Sequence, residues 1–367
     1  VKSGGWTNCI DFDPSGSRVS NYRNGKGRGR NISSLDDGQT ASALLLLINA
    51  DRALNFTHTE IHEACLFGLN GLLEAQYPNG AFPQVWDDVK NPTPPALKAG
   101  LPDYDWANEG QIKEFWNMYT LNDNVPGYVV ETLIAASETY NDERFLQAVR
   151  KLGDFLVLVQ MPEPQPGWAQ QYSYDMKPIW ARKFEPPGVS GNETQEAIST
   201  LLRIAEFTGD SKYLQTIPQA LKFLQRSLLA DGRLARYYKL RTNKPLYMER
   251  NGSKYVLTHD DANLPNHYGW KTTSQLDKLN QAYDLAVRPA ATKRTSLIPK
   301  IHAQPVDSPA AVPAALDEHG RWISVSEAEL LVGQLRMPKG NAYISSAVFS
   351  QNLELLNRYL VTDAATK

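Results

Sequence analysis

The parts of this sequence able to do chemistry are a set of acidic clusters and one cation-rich stretch. Asp36-Asp37-Gly38-Gln39-Thr40, Asn122-Asp123-Asn124 and Asn192-Glu193-Thr194 each stand just before a run with helical periodicity. Aspartate and asparagine at such places serve as N-caps, and an acid also favours the positive end of a helix. A cap needs a single oxygen, yet Asp36 is followed by Asp37, and Asp123 lies between two amides. Surplus oxygen of this kind suits a hard cation such as calcium. The cation-rich stretch is Lys177-Pro178-Ile179-Trp180-Ala181-Arg182-Lys183-Phe184-Glu185-Pro186-Pro187, with Tyr172 and Tyr174 just upstream. A guanidinium fork matches a carboxylate and a neighbouring ring stacks on a sugar face, which makes Lys177, Trp180, Arg182 and Tyr172 candidates for holding an acidic sugar. Arg236 and Arg250 follow on the same side. The plainer alternative pairs Arg182 with Glu185 and leaves Lys183 as a solvated charge. Acids and arginines at one mouth point to an anionic substrate bridged by a divalent cation.

Other motifs carry less. His58 and His62 are helix neighbours, but no glutamate follows the first in the zincin pattern and a third ligand is missing. Asp260-Asp261 and His267-Tyr268 suit either a mouth or ordinary turns. There is no phosphate-cradling glycine loop and no Gly-x-Ser-x-Gly elbow. Cys9 and Cys65 are the only cysteines, which excludes a thiolate zinc cluster and a disulfide-rich scaffold and leaves their pairing open.

The elements that must position these groups repeat. Gly71–Gln84 recurs in looser form at Phe155–Gln171 and Leu221–Tyr238, each copy a helix end that breaks and resumes through an aromatic. Thr132, Leu133, Asp142 and Phe155 fall on Thr200, Leu201, Asp210 and Phe223 at a fixed offset of 68. A repeated helical hairpin is the natural reading, and hairpins repeated around an axis make an (α/α) toroid whose loops gather at one mouth. Periodicity predicts helices over Gln39–Ala53, Thr59–Ala75, Pro126–Tyr140, Asp142–Val159, Glu193–Thr208, Lys212–Leu229 and Thr273–Leu285. Long loops lie between them at Val89–Asn108, Met161–Gly191 and Asp231–Tyr268, the last with a short strand hairpin. We expect residues 1–288 to form the toroid with an irregular N-terminal arm, and 289–367 to be a C-terminal extension packing on the same domain, with a final helix near Val348–Leu360.

Composition agrees with a large soluble core: the chain has 367 residues, 42% hydrophobic and 21% charged. A formal net charge of -2 gives no global attraction to nucleic acid or to anionic membranes, and neither is expected as a partner. Leu44–Ile48, the strongest apolar run, is far too short to span a bilayer. The 17 tyrosines and 8 tryptophans make stacking on carbohydrate a reasonable first expectation. A monomer is expected, secreted or periplasmic, as a trimmed export product.

Taken together, the motifs resemble the pectate lyases of polysaccharide lyase family 10. The matching residues are Gly4-Gly5-Trp6, Asp36-Asp37-Gly38-Gln39-Thr40, Leu72–Gly80, Leu121-Asn122-Asp123, Ala181–Pro187, Arg236-Tyr237-Tyr238 and Thr242–Leu246, in order over about residues 4–270. The resemblance implies an (α/α) toroid, calcium dependence and β-elimination of polygalacturonate. It implies that Asp36 and Asp123 are the calcium-associated aspartates and that Arg182 is the catalytic arginine. It also gives Arg236 and Arg250 the substrate carboxylates. This chain has Asp37 where the family pattern usually has asparagine, and a longer insertion around Val89–Gln111. A glycoside hydrolase on the same toroid, with Asp36 or Asp37 and Asp123 as its acid/base pair, and a noncatalytic uronate-binding protein are the competing expectations.

Overall fold

The computed structural model describes residues 1–7, 31–87, 97–103, 105–107, 112–252, 254–288, 310–328, 330–332 and 335–366. The chain divides into two compact units, Val1–Pro289 and Ala290–Lys367. In the first, seven helices carry the architecture: α1 (Gln39–Ala53), α2 (Thr59–Ala75), α3 (Val125–Tyr140), α4 (Glu143–Leu158), α5 (Gly191–Thr208), α6 (Ile217–Arg226) and α7 (Leu276–Ala286). Packing runs α1 to α3 to α5 to α7 along the inner side, while α2, α4 and α6 lie against α1, α3 and α5. The fold is therefore a mainly α toroid of helical hairpins.

Local sequence explains most of these helices. On α4 the buried set Phe145, Ala148, Val149, Leu152, Phe155 and Leu156 repeats at helical spacing, and Asp142 caps the start by accepting from the Arg144 amide. On α3 the buried residues, from Val125 and Val129 through Leu133, Ile134 and Ala136, occupy more of the circumference, because this helix packs against α1, α4 and α5. The single helix expected over Lys212–Leu229 is two: a 3-10 turn at Ser211–Leu214 and then α6. Pro218 is the reason, since it lacks an amide hydrogen and sits comfortably only in the first turn of a helix.

Short strands close each hairpin at the mouth. They are β1 (Ser33–Ser34), β2 (Val85–Trp86), β3 (Tyr119–Thr120), β4 (Trp168–Ala169), β5 (Gln171–Tyr172), β6 (Val189–Ser190), β7 (Leu234–Ala235), β8 (Tyr237–Tyr238), β9 (Pro245–Asn251), β10 (Lys254–Thr258) and β11 (Lys271–Thr272). They pair antiparallel as β1–β2, β3–β5 and β7–β11, with a larger sheet in the order β10-β9-β8-β6-β4. The start of each hairpin is pinned to its own end: the amides of Leu35, Leu121 and Gly191 donate to the carbonyls of Gln84, Gln170 and Arg236 at 2.9, 2.9 and 3.1 Å. One bond repeated in this way sets the helix starts on a common face, and with them the acidic clusters. No helix among the described residues is long and apolar enough to cross a membrane.

In the second unit, β12 (Ile323–Val325) pairs with β15 (Ala342–Ile344), and β13 (Leu330–Val332) with β14 (Leu335–Met337). A short helix, α8 (Ala311–Ala314), precedes them, and α9 (Ser346–Thr366) ends the unit, longer than the periodicity suggested.

Candidate active site

Two of the acidic clusters share one backbone design. Asp36–Gly38 and Asn122–Asn124 are both single 3-10 turns, preceded by a leucine in the helical region and leading directly into α1 and α3. In each, two successive residues turn left-handed: Asp37 and Gly38 at φ 48° and 69°, Asp123 and Asn124 at 52° and 57°. Asp37 thus corresponds in backbone to Asp123. A non-glycine residue at positive φ costs of order 1–3 kcal/mol and persists where the surroundings over-determine it. The third cluster differs, because Ser190 caps α5 in the ordinary way and places Glu193 inside the helix.

Asp36, Asp37 and Asp123 converge: one carboxylate oxygen from each lies within 4.8 Å of the others. Burial, a hydrogen bond with Asp36 and repulsion from Asp36, Glu193 and Asp37 push the Asp123 carboxyl up to about 8. Like charges this close ask for a cation, and three carboxylate oxygens are a hard-cation donor set, so the residues fit calcium. Asp37 joins Asp36 and Asp123 in that set. Asp37 was visible in the sequence as a surplus acid beside Asp36; that its carboxylate meets both Asp36 and Asp123 was not, because adjacent residues need not face the same way.

Arg182 stands beside this cluster. Its turn is fixed by Glu185, whose Oε2 accepts from the Arg182 amide and whose backbone amide donates to the Arg182 carbonyl. Arg182 Nη1 donates to Glu185 Oε1 at 2.9 Å, and Nη2 lies 3.4 Å from Asp36 Oδ2. Burial works against the charged guanidinium, but Glu185, Asp36 and Asp123 outweigh it and raise its pKa. The plain pairing of Arg182 with Glu185 and its place beside the aspartates therefore coexist.

Glu185 also anchors a network. Its Oε1 accepts from Gln170 Nε2 at 3.0 Å and from the Tyr268 hydroxyl at 3.2 Å, and Tyr268 and Tyr237 share a hydroxyl contact of 2.8 Å. Gln170 Nε2 donates to Asn122 Oδ1, which also accepts from Arg236. Arg236 donates to Glu193 Oε1 at 2.9 Å, and its guanidinium carbon lies 5.2 Å from the centre of the Tyr268 ring. Only 14% of its side chain is exposed, so Arg236 is at the site but mostly occupied by protein groups. Glu196, on the same helix as Glu193, is likewise pushed up to about 8, chiefly by burial and by Glu193. Gln170 carries no sequence signal of its own, whereas Tyr237 lies in a motif of the resemblance and Tyr268 in a pair that suits a mouth; Gln170 and Arg236 occupy matching places in their repeats, as does Gln84.

Other expected site residues lie elsewhere. Tyr172 is fully buried, and its hydroxyl accepts from the Ala169 amide just as Tyr238 accepts from Ala235, so it is a strut of the repeat and cannot stack on a sugar. Trp180 is packed in the main core at 8% exposure, which likewise removes it as a stacking platform. Lys177 forms its ion pairs with Asp103 and Asp175, at 2.8 and 3.3 Å, outside the aspartate cluster. Arg250 is exposed at the end of β9, where its Nε donates to the Gly252 carbonyl. His62 bonds to the buried Asp51 at 2.8 Å and His58 contacts Glu60. Cys65 is buried, whereas Cys9 and most of Val89–Gln111 lie outside the described residues. Trp116, at 38% exposure, is an aromatic at the Arg182 side that sequence reasoning missed.

A family profile described as pectic acid lyase matches residues 1–235. Among solved structures, a family 10 polysaccharide lyase from Cellvibrio cellulosa is similar at 19% identity and a TM-score of 0.57, covering 77% of this chain and 87% of that one. A mutant of the family 10 enzyme from that organism, in complex with trigalacturonic acid, matches at 19% identity and a TM-score of 0.55, covering 77% and 88%. These structural likenesses bear on the fold, which is the (α/α) toroid derived above. No curated protein matches the chain. The profile, however, spans well over half of the chain and includes both aspartate turns and the Arg182 loop, and on that ground the chain belongs to the pectic acid lyase family and is a polysaccharide lyase.

Proposed function

We propose that the enzyme cleaves polygalacturonate by calcium-assisted β-elimination, with Arg182 taking the proton. The observation that carries this reading is the placement of Arg182 Nη2 3.4 Å from Asp36, one of three carboxylates able to hold a cation. Base and cation site are then adjacent, as a sugar whose acidic proton neighbours its carboxylate requires. Asp36, Asp37 and Asp123 would hold the calcium, which supplies charge compensation for the substrate carboxylate and for the negative charge that develops at the α-carbon. The C5 proton passes to the Arg182 guanidine, its electron pair becomes the C4–C5 double bond, the C4–O4 bond breaks, and the departing oxygen takes up a proton. Neutral guanidine is scarce near neutrality, and Glu185 makes it scarcer, so an alkaline optimum follows. Arg236 is assigned to a uronate carboxylate through the part of its guanidinium not committed to Glu193 and Asn122, while Arg250, exposed at the end of β9, is left without a role at this site. The bound trigalacturonic acid of the Cellvibrio cellulosa mutant supports this substrate.

An inverting hydrolase fits less well, whereas a retaining one, with its carboxyl pair roughly 5–5.5 Å apart, is separated from a lyase by the product test. An inverting acid/base pair stands roughly 6.5–9.5 Å apart to admit water, and the aspartates here crowd within 4.8 Å. The test is ultraviolet absorbance of an unsaturated uronate on polygalacturonate at alkaline pH, with calcium and then with excess chelator. A calcium-dependent rise is expected. Reducing-sugar release without that absorbance would overturn the lyase chemistry, and activity untouched by chelator would remove calcium from it.

A further inference from the structure

A cavity of about 320 Å³ opens beside Arg182, lined by Ile32, Gln84, Val85, Phe115, Trp116 and Arg182. That is the lower end of small-ligand pockets, roughly 300 Å³ and upward. Separate stretches of chain build it. The β1–β2 pairing sets Ser34 opposite Val85, next to Ile32, and the Gln84 amide donates to the Trp116 carbonyl at 2.9 Å. Trp116 packs edge-on against the buried Phe115, with ring centres 5.2 Å apart, and still leaves more than a third of its surface open. Gln84 is 4% exposed, and its Oε1 is buried without a hydrogen-bond partner. Arg182, the cation on the wall, is already engaged by Glu185 and Asp36.

These features select against a carboxylate. An anion here would give up part of its hydration to apolar side chains, and among the described residues the cation on the wall, Arg182, is already committed. An uncharged sugar unit incurs no such cost, and its ring hydrogens pack on the open part of Trp116. Building on the lyase reading above, we propose that this cavity is a subsite for a methyl-esterified galacturonate unit next to the unit undergoing elimination. The enzyme then works on partly esterified pectin, with the free carboxylate at the aspartates and the ester in the cavity.

The experiment compares kcat/KM on polygalacturonate with kcat/KM on the same chains partly methyl-esterified, for wild type, Trp116→Ala and Trp116→Phe. Wild type is expected to be at least as efficient on the partly esterified chains. Trp116→Ala should lower the ratio of esterified to unesterified efficiency by roughly 3- to 10-fold, the size of one aromatic contact, and Trp116→Phe should restore most of it. A ratio unchanged in Trp116→Ala, or wild-type activity that falls in proportion to the carboxylates removed, overturns the subsite while leaving the lyase reading intact. Wild type without eliminating activity on polygalacturonate overturns that reading, and the subsite with it.

Discussion

At the scale of single residues, the site turns on how Arg182 is held. Its guanidinium sits between Glu185 and Asp36, and both favour the charged form that a proton acceptor must leave. Arg182→Lys shortens the fork and loses the second contact, so turnover should fall by ~10²–10⁴ while oligogalacturonate binding is largely kept. Near-normal turnover would remove Arg182 from the chemistry. Glu185→Gln takes away the largest anionic influence on the guanidinium. Its pKa then falls, the neutral fraction at a given pH rises, and the ascending limb of the pH profile for kcat should move to lower pH. An unmoved limb, with lower activity throughout, would mean that Glu185 serves only to shape the Arg182 turn.

At the scale of elements, the repeat places equivalent glycines after the outer helices α2 and α6 but loads them differently. Gly80 adopts φ 95°, and a Cβ there would lie 1.9 Å from the Lys151 carbonyl oxygen on α4. Gly232 adopts φ 79° with nothing within 4 Å of a Cβ. Gly232→Ala should therefore cost only the positive-φ penalty, about 1–2 kcal/mol. Gly80→Ala adds a backbone clash between hairpins and should be worse by at least ~2 kcal/mol. Denaturant unfolding of the two variants checks the difference. Equal losses would mean that the α2 and α4 hairpins are not packed through this turn. The helices themselves were legible in sequence: Gln39–Ala53 and Thr59–Ala75 are found with those bounds, because apolar spacing and end signals are local. The break at Pro218 was missed because the apolar pattern runs through it.

For the whole molecule, the gathered acids make stability depend on pH and on cations. Asp123 and Glu196 have folded-state values near 8 against ordinary values of 3.8 and 4.5. Between those limits the folded state binds more protons than the unfolded one, so stability falls as pH rises from about 4 to about 8. Metal-free enzyme should lose melting temperature across that window, and calcium should restore it most at the alkaline end. Asp123→Asn should flatten the dependence and weaken the calcium effect. A melting temperature that does not fall over the window, or a calcium shift equal at both ends, would count against the shared cation site.

The sequence by itself determined the hairpins, their repetition and the presence of acids at their starts, since caps and periodicity act over a few residues. It also marked Asp36, Asp123, Arg182 and Arg236 as chemical candidates, and the folded chain brings these four to one place. Tertiary structure decided which rings were available: Tyr172 and Trp180 read as stacking platforms yet are buried, because burial depends on what packs from distant segments. It decided too that Asp37 joins the aspartates, through a left-handed turn that neighbours in sequence do not specify. The link from Glu185 through Tyr268 and Tyr237 to Gln170, and the cavity between β2 and Trp116, arise only where chain segments far apart in sequence meet.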